Sequence, residues 1–208
     1  MKSRLAGSFV LLVAAVAGGC PLLSGLSGGT QAAGSSTLAE RLLAAGDMLD
    51  VQGASASGST PVRTIDALTG CWGRSTGPET VAVPGADGVP TGLSVAARSV
   101  EVWRFENDGR YRRELVVRTG ELPISLVTVE EGRVTLDENG VVCLHIERLG
   151  VRDLLGNLTL NPVSAQAAEH PMCWIAGIAD DQLVLTEPSS DGQAREHESF
   201  VYTRVDCE

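Results

Sequence analysis

The sequence predicts an all-β domain, and its turn signals, strand-like runs and lack of helical periodicity support this. Asn107-Asp108-Gly109 and Glu138-Asn139-Gly140 are strong hairpin signals, each between two runs rich in β-branched and aromatic residues. Almost no helical pattern follows residue 63. About nine short strands at regular spacing indicate an antiparallel barrel or sandwich. The runs that flank the two turns are Val100 to Phe105, Arg110 to Arg118, Arg133 to Asp137 and Val141 to Glu147.

Five further runs complete the strand pattern, and Asp180-Asp181 is expected to turn a third hairpin between two of them. Alternation assigns their faces, since successive side chains of a strand point to opposite sides. One face collects Glu101, Trp103 and Phe105, and one face of the next strand collects Tyr111, Arg113, Leu115 and Val117. An inward Arg113 would make the interior partly polar, which leaves both a filled core and a ligand pocket open. The further runs are Ala67 to Arg74, Ile124 to Val129, Cys173 to Ile178, Leu183 to Thr186 and Phe200 to Val205.

Composition excludes several classes of protein. The chain has 208 residues, of which 43% are hydrophobic and 4% aromatic, so one modest domain with attachments is expected. Neither a collagenous chain nor a multi-span membrane protein has this composition. The formal net charge of -10 argues against a nucleic-acid partner, because phosphate binding needs concentrated positive charge.

The first twenty residues predict an exported protein. A basic start, an apolar run from Leu5 to Val16 and three small residues together predict a signal peptide over residues 1–19. Val16-Ala17-Gly18-Gly19-Cys20 resembles the lipobox of bacterial lipoproteins, in which the cysteine is lipidated and becomes the mature N-terminus. The resemblance implies acyl chains such as palmitate on Cys20, an anchor in the inner or outer membrane of the bacterial envelope, and a domain in the periplasm or outside. The alternative is an ordinary secretory signal followed by an incidental cysteine.

Two segments connect this start to the β domain. Residues 20–36 are rich in Gly and Ser and are expected to form a flexible tether. Residues 37–62 are expected to contain a short helix, over about 38–50, and a linker. Thr37 and Glu40 have the spacing of a capping box, and Leu38, Leu42 and Leu49 share one helical face, so the helix should pack on another element. The compact domain is expected over residues 63–208.

Short motifs along the strands resemble a known family. Gly70-Cys71-Trp72 looks like the G-x-W signature of lipocalins and related calycins, and Tyr202-Thr203-Arg204 resembles the end of their last strand. Trp103-Arg104-Phe105, Asp108 to Tyr111 and Gln182 to Leu185 are similar to the strands and turns of small bacterial lipocalin-like domains. The resemblance implies an up-and-down barrel of about eight or nine strands. The chain lacks the Thr-Asp-Tyr motif and the C-terminal helix of standard lipocalins, which favours a divergent calycin.

The resemblance also implies roles for individual residues. In the family a cation on the last strand packs across the tryptophan and closes one end of the barrel, which makes Trp72 and Arg204 the expected pair. A guanidinium over an indole ring is favourable. A ligand held inside the barrel would face four large side chains on the expected inner faces of two consecutive strands: Trp103, Phe105, Tyr111 and Leu115.

The cysteines other than Cys20 form an even set in an exported protein, and four cysteines permit three pairings. Inward Trp72 and Arg204 would place Cys71 and Cys207 outward on the neighbouring first and last strands of a closed barrel. Inward Leu144 and Trp174 would likewise place two cysteines outward on strands that can be adjacent. We therefore expect two disulfides, Cys71 with Cys207 and Cys143 with Cys173.

Little in the sequence points to catalysis or to a cofactor. A metal site of Cys143, His145 and Cys173 competes with the disulfide, but its spacing matches no standard zinc pattern. His170 and His197 lie in charged segments of no recognisable constellation. No catalytic residue, metal ligand or cofactor is therefore predicted.

The connection from Ser75 to Ser99 is unusually long between two strands and carries Pro78, Pro84 and Pro90. The lipocalin resemblance suggests a lid over the barrel mouth here, and a disordered surface insertion is the alternative.

Two functions follow from these expectations. The first is a membrane-anchored barrel that binds a small apolar or amphipathic ligand. The second is a protein-facing module with a filled barrel, either a periplasmic protease inhibitor or an envelope-assembly lipoprotein, whose partner is another envelope protein. An enzyme or metal carrier has no sequence feature in its favour.

Overall fold

The structure, a computed structural model, describes residues 30–31, 36–46, 58–84, 90–119, 125–152, 157–164, 169, 171–188 and 199–208. It contains two helices, α1 (Leu38–Ala45) and α2 (Ile65–Leu68). The strands are β1 (Thr30–Gln31), β2 (Thr60–Pro61), β3 (Gly70–Pro84), β4 (Pro90–Phe105), β5 (Arg110–Thr119), β6 (Ser125–Leu136), β7 (Val141–Arg152), β8 (Leu158–Pro162), β9 (Met172–Ala179), β10 (Gln182–Thr186) and β11 (Ser199–Val205).

Eight antiparallel strands form a closed barrel, in the order β3, β4, β5, β6, β7, β9, β10 and β11. The last strand returns to the first, with Arg204 opposite Trp72. The seam between β7 and β9 consists of four residue pairs, from Val141 opposite Ile175 to Leu144 opposite Met172. Beyond this seam β7 pairs with β8, which in turn pairs with β1, and β2 pairs with β9. The all-β, up-and-down antiparallel barrel predicted from the sequence is confirmed.

Several boundaries differ from the sequence prediction for local reasons. Helix α1 ends at Ala45 rather than near residue 50, because Gly46 adopts the left-handed conformation (φ 71°) that ends helices. The two runs predicted at 124–129 and 133–137 are one strand, β6. Residues 65–68, partly assigned to the first strand, form the short helix α2. Strand β8 was not predicted at all.

The long connection between the first two barrel strands is mostly strand. Strands β3 and β4 pair from Gly70 opposite Phe105 out to Pro84 opposite Pro90, with irregularities after Thr76 and after Ala82. The described part of residues 75–99 is therefore a hairpin extension of the barrel wall, rather than the long lid loop or disordered insertion that the sequence suggested.

Apolar side chains collect on both faces of the barrel wall. The interior contains a cluster that includes Trp72, Trp103, Phe105, Leu144 and Leu183, and α2 covers one end of it through Leu68. We call this end the closed end. A second cluster lies outside, between the wall and α1, where Ala39 is fully buried. Its wall residues are Val100, Val102, Val116, Val127 and Val129, together with Leu158 and Leu160 of β8.

Helix α1 docks on the outer wall through polar contacts as well. Thr37 and Glu40 form the predicted capping box. The Ala39 N–H donates to Oε2 of Glu114, 3.1 Å away on β5, so a wall carboxylate also receives the positive end of the helix. Glu40 in addition pairs with Arg152 of β7. The helix therefore braces the barrel from outside and does not plug it. Among the described helices, none is long and apolar enough to cross a membrane.

Two disulfides join strands of the barrel, in the pairings that the sequence predicted. Cys71 of β3 is bonded to Cys207, which follows β11, and so links the first and last barrel strands. Cys143 and Cys173 are directly opposite each other across the short β7–β9 seam and are bonded there. Each bridge thus secures a closure of the barrel.

Candidate functional site

Inward-facing residues that lie directly opposite one another on neighbouring strands form rows across β3 to β7. One row runs from Trp72 through Trp103, Arg113 and Glu130 to Leu149. The row above it, farther from the closed end, runs from Arg74 through Glu101, Leu115 and Thr128 to Val151. Charged residues therefore lie side by side with apolar ones in the middle of the barrel.

Aromatic side chains fill the interior towards the closed end. The Trp103 ring lies 5.9 Å from the Phe105 ring and 5.8 Å from the Tyr111 ring, measured between centroids. Trp174 and Tyr202 approach Trp103 edge-on at 6.2 and 6.3 Å. Three of the residues proposed to face a ligand, Trp103, Phe105 and Tyr111, are thus buried against one another. The fourth, Leu115, lies one row higher and is partly exposed.

The expected pair at the closed end is present in the structure. The Arg204 guanidinium carbon lies 4.7 Å from the centroid of the Trp72 ring, and Nη2 donates to the Thr69 carbonyl. The Trp72 Nε1–H donates to the Leu68 carbonyl of α2 at 2.7 Å. These contacts join the first strand, the last strand and α2.

A cluster of two carboxylates, two guanidinium groups and a tyrosine lies directly above the aromatic layer. We call it the charge cluster, and its members are Arg74, Glu101, Arg113, Glu130 and Tyr202. Oε1 of Glu101 accepts from Nε of Arg113 at 2.6 Å, and Oε2 accepts from Nη2 of Arg74 at 3.1 Å and from the Tyr202 hydroxyl at 3.0 Å. Nη1 of Arg113 donates to both oxygens of Glu130, at 3.0 and 3.3 Å. The formal charges of the cluster sum to zero.

The protonation of the cluster follows from these contacts. Burial alone would raise the pKa of Glu101, but Arg113, Arg74 and the Tyr202 hydroxyl together hold it below its usual value of 4.5. Burial alone would likewise lower the pKa of Arg113, and the two carboxylates raise it instead. Burial, reinforced by Glu101, raises the pKa of Tyr202. Around neutral pH, Glu101 and Arg113 therefore carry their charges beside a protonated Tyr202.

Beyond the charge cluster, at the end opposite α2, the inner face of β5 to β7 is mostly apolar and partly open, whereas on β3 and β4 it carries the hydrogen-bonded hydroxyls of Thr76 and Ser99. We call this region the mouth. Leu149 and Val151 of β7 face inward, as do their cross-strand partners Glu130 and Thr128. Their side chains are nevertheless 37% and 38% exposed. Leu115 and, one row higher, Val117 opposite Leu126 continue the apolar surface across β5 and β6. This apolar inner face borders directly on the buried charges.

A different depression lies on the outer wall beside the start of α1. It has a volume of about 630 Å³ and is lined by charged side chains of both signs. Within it Glu131 accepts from Arg112 at 2.7 Å and from Arg148 at 3.3 Å. Further charged residues around it are Arg41, Arg104, Glu106, Arg110, Glu114 and Glu147.

The alternative metal site is contradicted by the structure. Cys143 and Cys173 are joined in a disulfide, so neither is available as a thiolate ligand. Within the described ranges, no group of three or more His, Cys, Asp or Glu side chains is placed to hold a metal ion. Cys20, His170 and His197 lie outside the described residues, so the structure does not bear on the interpretation of them. Most of the predicted tether lies outside as well, but its residues Thr30–Gln31 form β1 and pair with β8, so at this point the chain is a strand rather than a flexible tether.

Sequence reasoning found part of this arrangement. Alternation placed Arg113 on an inner face with Leu115, and Glu101 with Trp103. It missed Arg74, Glu130 and Tyr202. Arg74 is two residues from Trp72 and Tyr202 is two residues from Arg204, so alternation could have placed both on an inner face. The parity of a strand indicates which side chains face inward, but not which of them meet.

The fold and the site together define a class of protein. It is a disulfide-bonded, closed antiparallel β-barrel whose interior is filled by aromatic residues at one end and crossed by a buried charge cluster. Comparison of the sequence with protein-family models and with curated proteins finds no match.

Proposed function

We propose that this chain is a lipid-anchored lipoprotein of the bacterial cell envelope whose lipocalin-like barrel binds a small amphipathic ligand at its mouth. The observation that carries the proposal is the exposure of Leu149 and Val151 on an inward-facing surface next to buried charged groups. Apolar side chains on the inner face of a barrel are normally buried by the barrel itself, so their exposure favours an occupant that covers them.

Covering these apolar side chains should contribute considerably to the binding free energy of such a ligand. Covering apolar surface is favourable by roughly 25 cal/mol per Å², so an acyl or ring group laid over several of these side chains gains a few kcal/mol. The adjacent Arg74 and Glu101 supply hydrogen-bonding partners for a polar group on the same ligand. Apolar lining with a few placed polar groups is typical of small-molecule sites.

The proposed location rests on the N-terminal sequence and on the disulfides. Two disulfides are typical of a protein that folds in an oxidising compartment such as the periplasm. A signal peptide followed by Cys20 suits lipid anchoring, and acyl chains on that cysteine would hold the domain at the membrane surface. Replacing Cys20 by Ser tests this directly. Growth with labelled palmitate should label the native chain and leave the Cys20→Ser chain unlabelled, and equal labelling would contradict the anchor.

Ligand binding is tested with a matched pair of surface changes. We would export the Cys20→Ser chain, keep both disulfides, and titrate it with a fluorescent single-chain amphiphile. Leu149→Lys places a charge on the inner apolar face, and we expect it to weaken binding about tenfold. Ile175→Lys is the control, because Ile175 is 43% exposed but lies on the outer face, two residues from Cys173. Equal effects of the two changes, or no binding by the parent chain, would contradict the proposal.

A protein-facing module is the second candidate, and the charged depression on the outer wall favours it. Arg104 and Arg110 line this depression with largely exposed side chains. Photo-crosslinking from position 104 in intact cells should capture a discrete envelope protein if this surface is the functional one. Crosslinking from the exposed, outward Arg98 of β4 provides the control, and identical patterns from both positions would count against it.

A further inference from the structure

Two neighbouring arginines lie on the outer face of the barrel wall, at the end that carries the mouth. Arg98 of β4 and Arg118 of β5 are directly opposite each other, and both side chains are exposed. Every other arginine in the described ranges forms an ion pair or donates a hydrogen bond to an oxygen. Arg98 and Arg118 do neither with any residue that the structure describes.

This arrangement is unfavourable for the domain on its own. Residues directly opposite each other on antiparallel strands have Cβ atoms about 4.5 to 5.5 Å apart, and like charges at that distance are destabilising. The formal net charge of the chain is -10, yet none of the described acidic side chains pairs with either arginine. An anion bound between the two guanidinium groups would relieve the repulsion, and guanidinium groups match the oxygens of a phosphate particularly well.

The N-terminal segment joins the sheet at the same end of the barrel. Strand β1 pairs with Leu158 and Thr159 of β8, which lie opposite Arg152 and Val151, the last residues of β7 at the mouth. Strand β1 is four strands away from β5, and neighbouring strands are about 4.8 Å apart. The point of attachment is therefore about 20 Å from Arg118 along the sheet.

The short interval between Cys20 and Thr30 limits how far this end can lie from an anchored cysteine. Ten residues span at most about 35 Å when fully extended. Strand β7 has 12 residues, so its other end, near α2, lies about 40 Å away from the attachment along the strand. An anchor at Cys20 would thus keep the mouth, with Arg98 and Arg118 beside it, close to the bilayer.

We infer that Arg98 and Arg118 bind the phosphate groups of anionic phospholipids, and that this contact turns the mouth of the barrel towards the membrane. The inference rests on the lipid anchor of the proposed function, and it names the surface that the anchored domain presents to the bilayer. Two basic residues near an anionic surface contribute too little to hold a free chain there. Beside an anchor they need only orient the domain, because the anchor already gives a high effective concentration.

The test places a photo-crosslinking amino acid next to the two arginines. Ser125 lies opposite Arg118 in the same outer row and is partly exposed, so p-benzoylphenylalanine in place of Ser125 reports on what covers this surface. The full lipidated chain is reconstituted in vesicles of phosphatidylglycerol and phosphatidylcholine in equal parts. We expect it to capture phospholipid there, and to capture about tenfold less in vesicles of phosphatidylcholine alone.

Two double variants of this crosslinking chain provide the comparison. Arg98→Gln with Arg118→Gln should lower capture in the mixed vesicles about tenfold. Arg104→Gln with Arg110→Gln is the matched control, because it removes the same charge from exposed side chains near the closed end and should leave capture unchanged. The first double variant should unfold at the same or a slightly higher temperature than the parent chain, since a repulsion is removed. That measurement also verifies that it is folded.

The outcomes separate this inference from the proposed function. If Cys20 takes up no labelled palmitate, the anchor and the inference are both wrong. If Cys20 is labelled but position 125 captures no phospholipid, or captures it equally from both kinds of vesicle, the inference alone is overturned. Equal losses in the two double variants would also overturn it, because they would indicate a general effect of charge. Capture of a discrete protein instead of phospholipid in intact cells would assign the two arginines to an acidic protein partner.

Discussion

Nε of Arg113 lies 2.6 Å from Oε1 of Glu101 inside the barrel, and Nη1 of the same side chain donates to both carboxylate oxygens of Glu130. The guanidinium also lies 5.0 Å from the centroid of the Trp103 ring. A buried cation is thus matched by two carboxylates and an aromatic face. Removing any one partner leaves a buried charge uncompensated, whereas the complete cluster is electrically neutral.

The first prediction concerns this arginine. Arg113→Met should lower the free energy of unfolding by about 3 to 5 kcal/mol, because Glu101 and Glu130 would lose their main counter-charge. The control is Arg133→Met. Arg133 pairs with Glu147 at 3.1 Å, but their side chains are 69% and 55% exposed, so the loss should be under about 1 kcal/mol. Denaturant unfolding measures both, and similar losses would show that burial does not distinguish the two arginines.

The second prediction is that replacing each of the two tyrosines by Phe changes the free energy of unfolding differently. The Tyr202 hydroxyl donates to the buried Glu101, so Tyr202→Phe should destabilise by about 1.5 to 3 kcal/mol. The Tyr111 hydroxyl is buried and, among the residues that the structure describes, has no hydrogen-bond partner, so Tyr111→Phe should be neutral or slightly stabilising. Thermal unfolding of the two variants beside the parent chain tests this. A destabilised Tyr111→Phe would mean that its hydroxyl has a partner in solution.

The third prediction is an alkaline transition. Burial is the main reason that the pKa values of both Tyr111 and Tyr202 are raised above 10.0, so folding favours the protonated phenols. Their contribution to stability is complete below pH 10 and is lost as the pH rises towards the folded pKa values. The chain contains only two tyrosines, so the ultraviolet tyrosinate signal reports on these alone. We expect no tyrosinate near pH 10 in the folded protein and normal titration in concentrated guanidinium. Titration near pH 10 without unfolding would contradict the burial.

The fourth prediction concerns the disulfides. Replacing Cys71 and Cys207 by Ser should cost more stability than replacing Cys143 and Cys173, because the sequence separations are 136 and 30 residues. Both losses should be about 2 to 4 kcal/mol. Losing the second bridge should in addition raise hydrogen exchange along the seam from Val141 to Leu144. Unchanged exchange there would show that the backbone pairing alone maintains closure.

The fifth prediction concerns α1. Thr37→Ala removes the hydroxyl that accepts the Glu40 N–H, which should cost the helix about 1 kcal/mol. Because α1 lies outside the barrel, hydrogen exchange should increase over Leu38–Ala45 and not over the barrel strands. Ser36→Ala, one residue earlier and exposed, is the control. Increased exchange throughout the barrel would mean that α1 and the wall unfold together.

Much of the fold could be predicted because the relevant signals are local. Gly109 and Gly140 have φ values of 79° and 81°, which glycine adopts readily, so both hairpin turns were visible in the sequence. Alternation placed Trp103 and Arg113 on inner faces, and the parity of the cysteines relative to Trp72 and Leu144 predicted both disulfides. The capping box of α1 was equally apparent from Thr37 and Glu40.

The sequence by itself therefore determined the turns and the faces of the strands, since each depends on neighbouring residues or on a period of two. The pairing of the cysteines required, in addition to their outward parity, the expectation of a closed barrel that makes their strands adjacent. Only the tertiary structure decided that β8 extends the sheet, that α1 packs outside the barrel, and which charges meet inside it. Tyr202 and Glu101, for example, are 101 residues apart and in contact. Such contacts depend on strand register and on closure of the barrel, which are properties of the whole chain rather than of any segment.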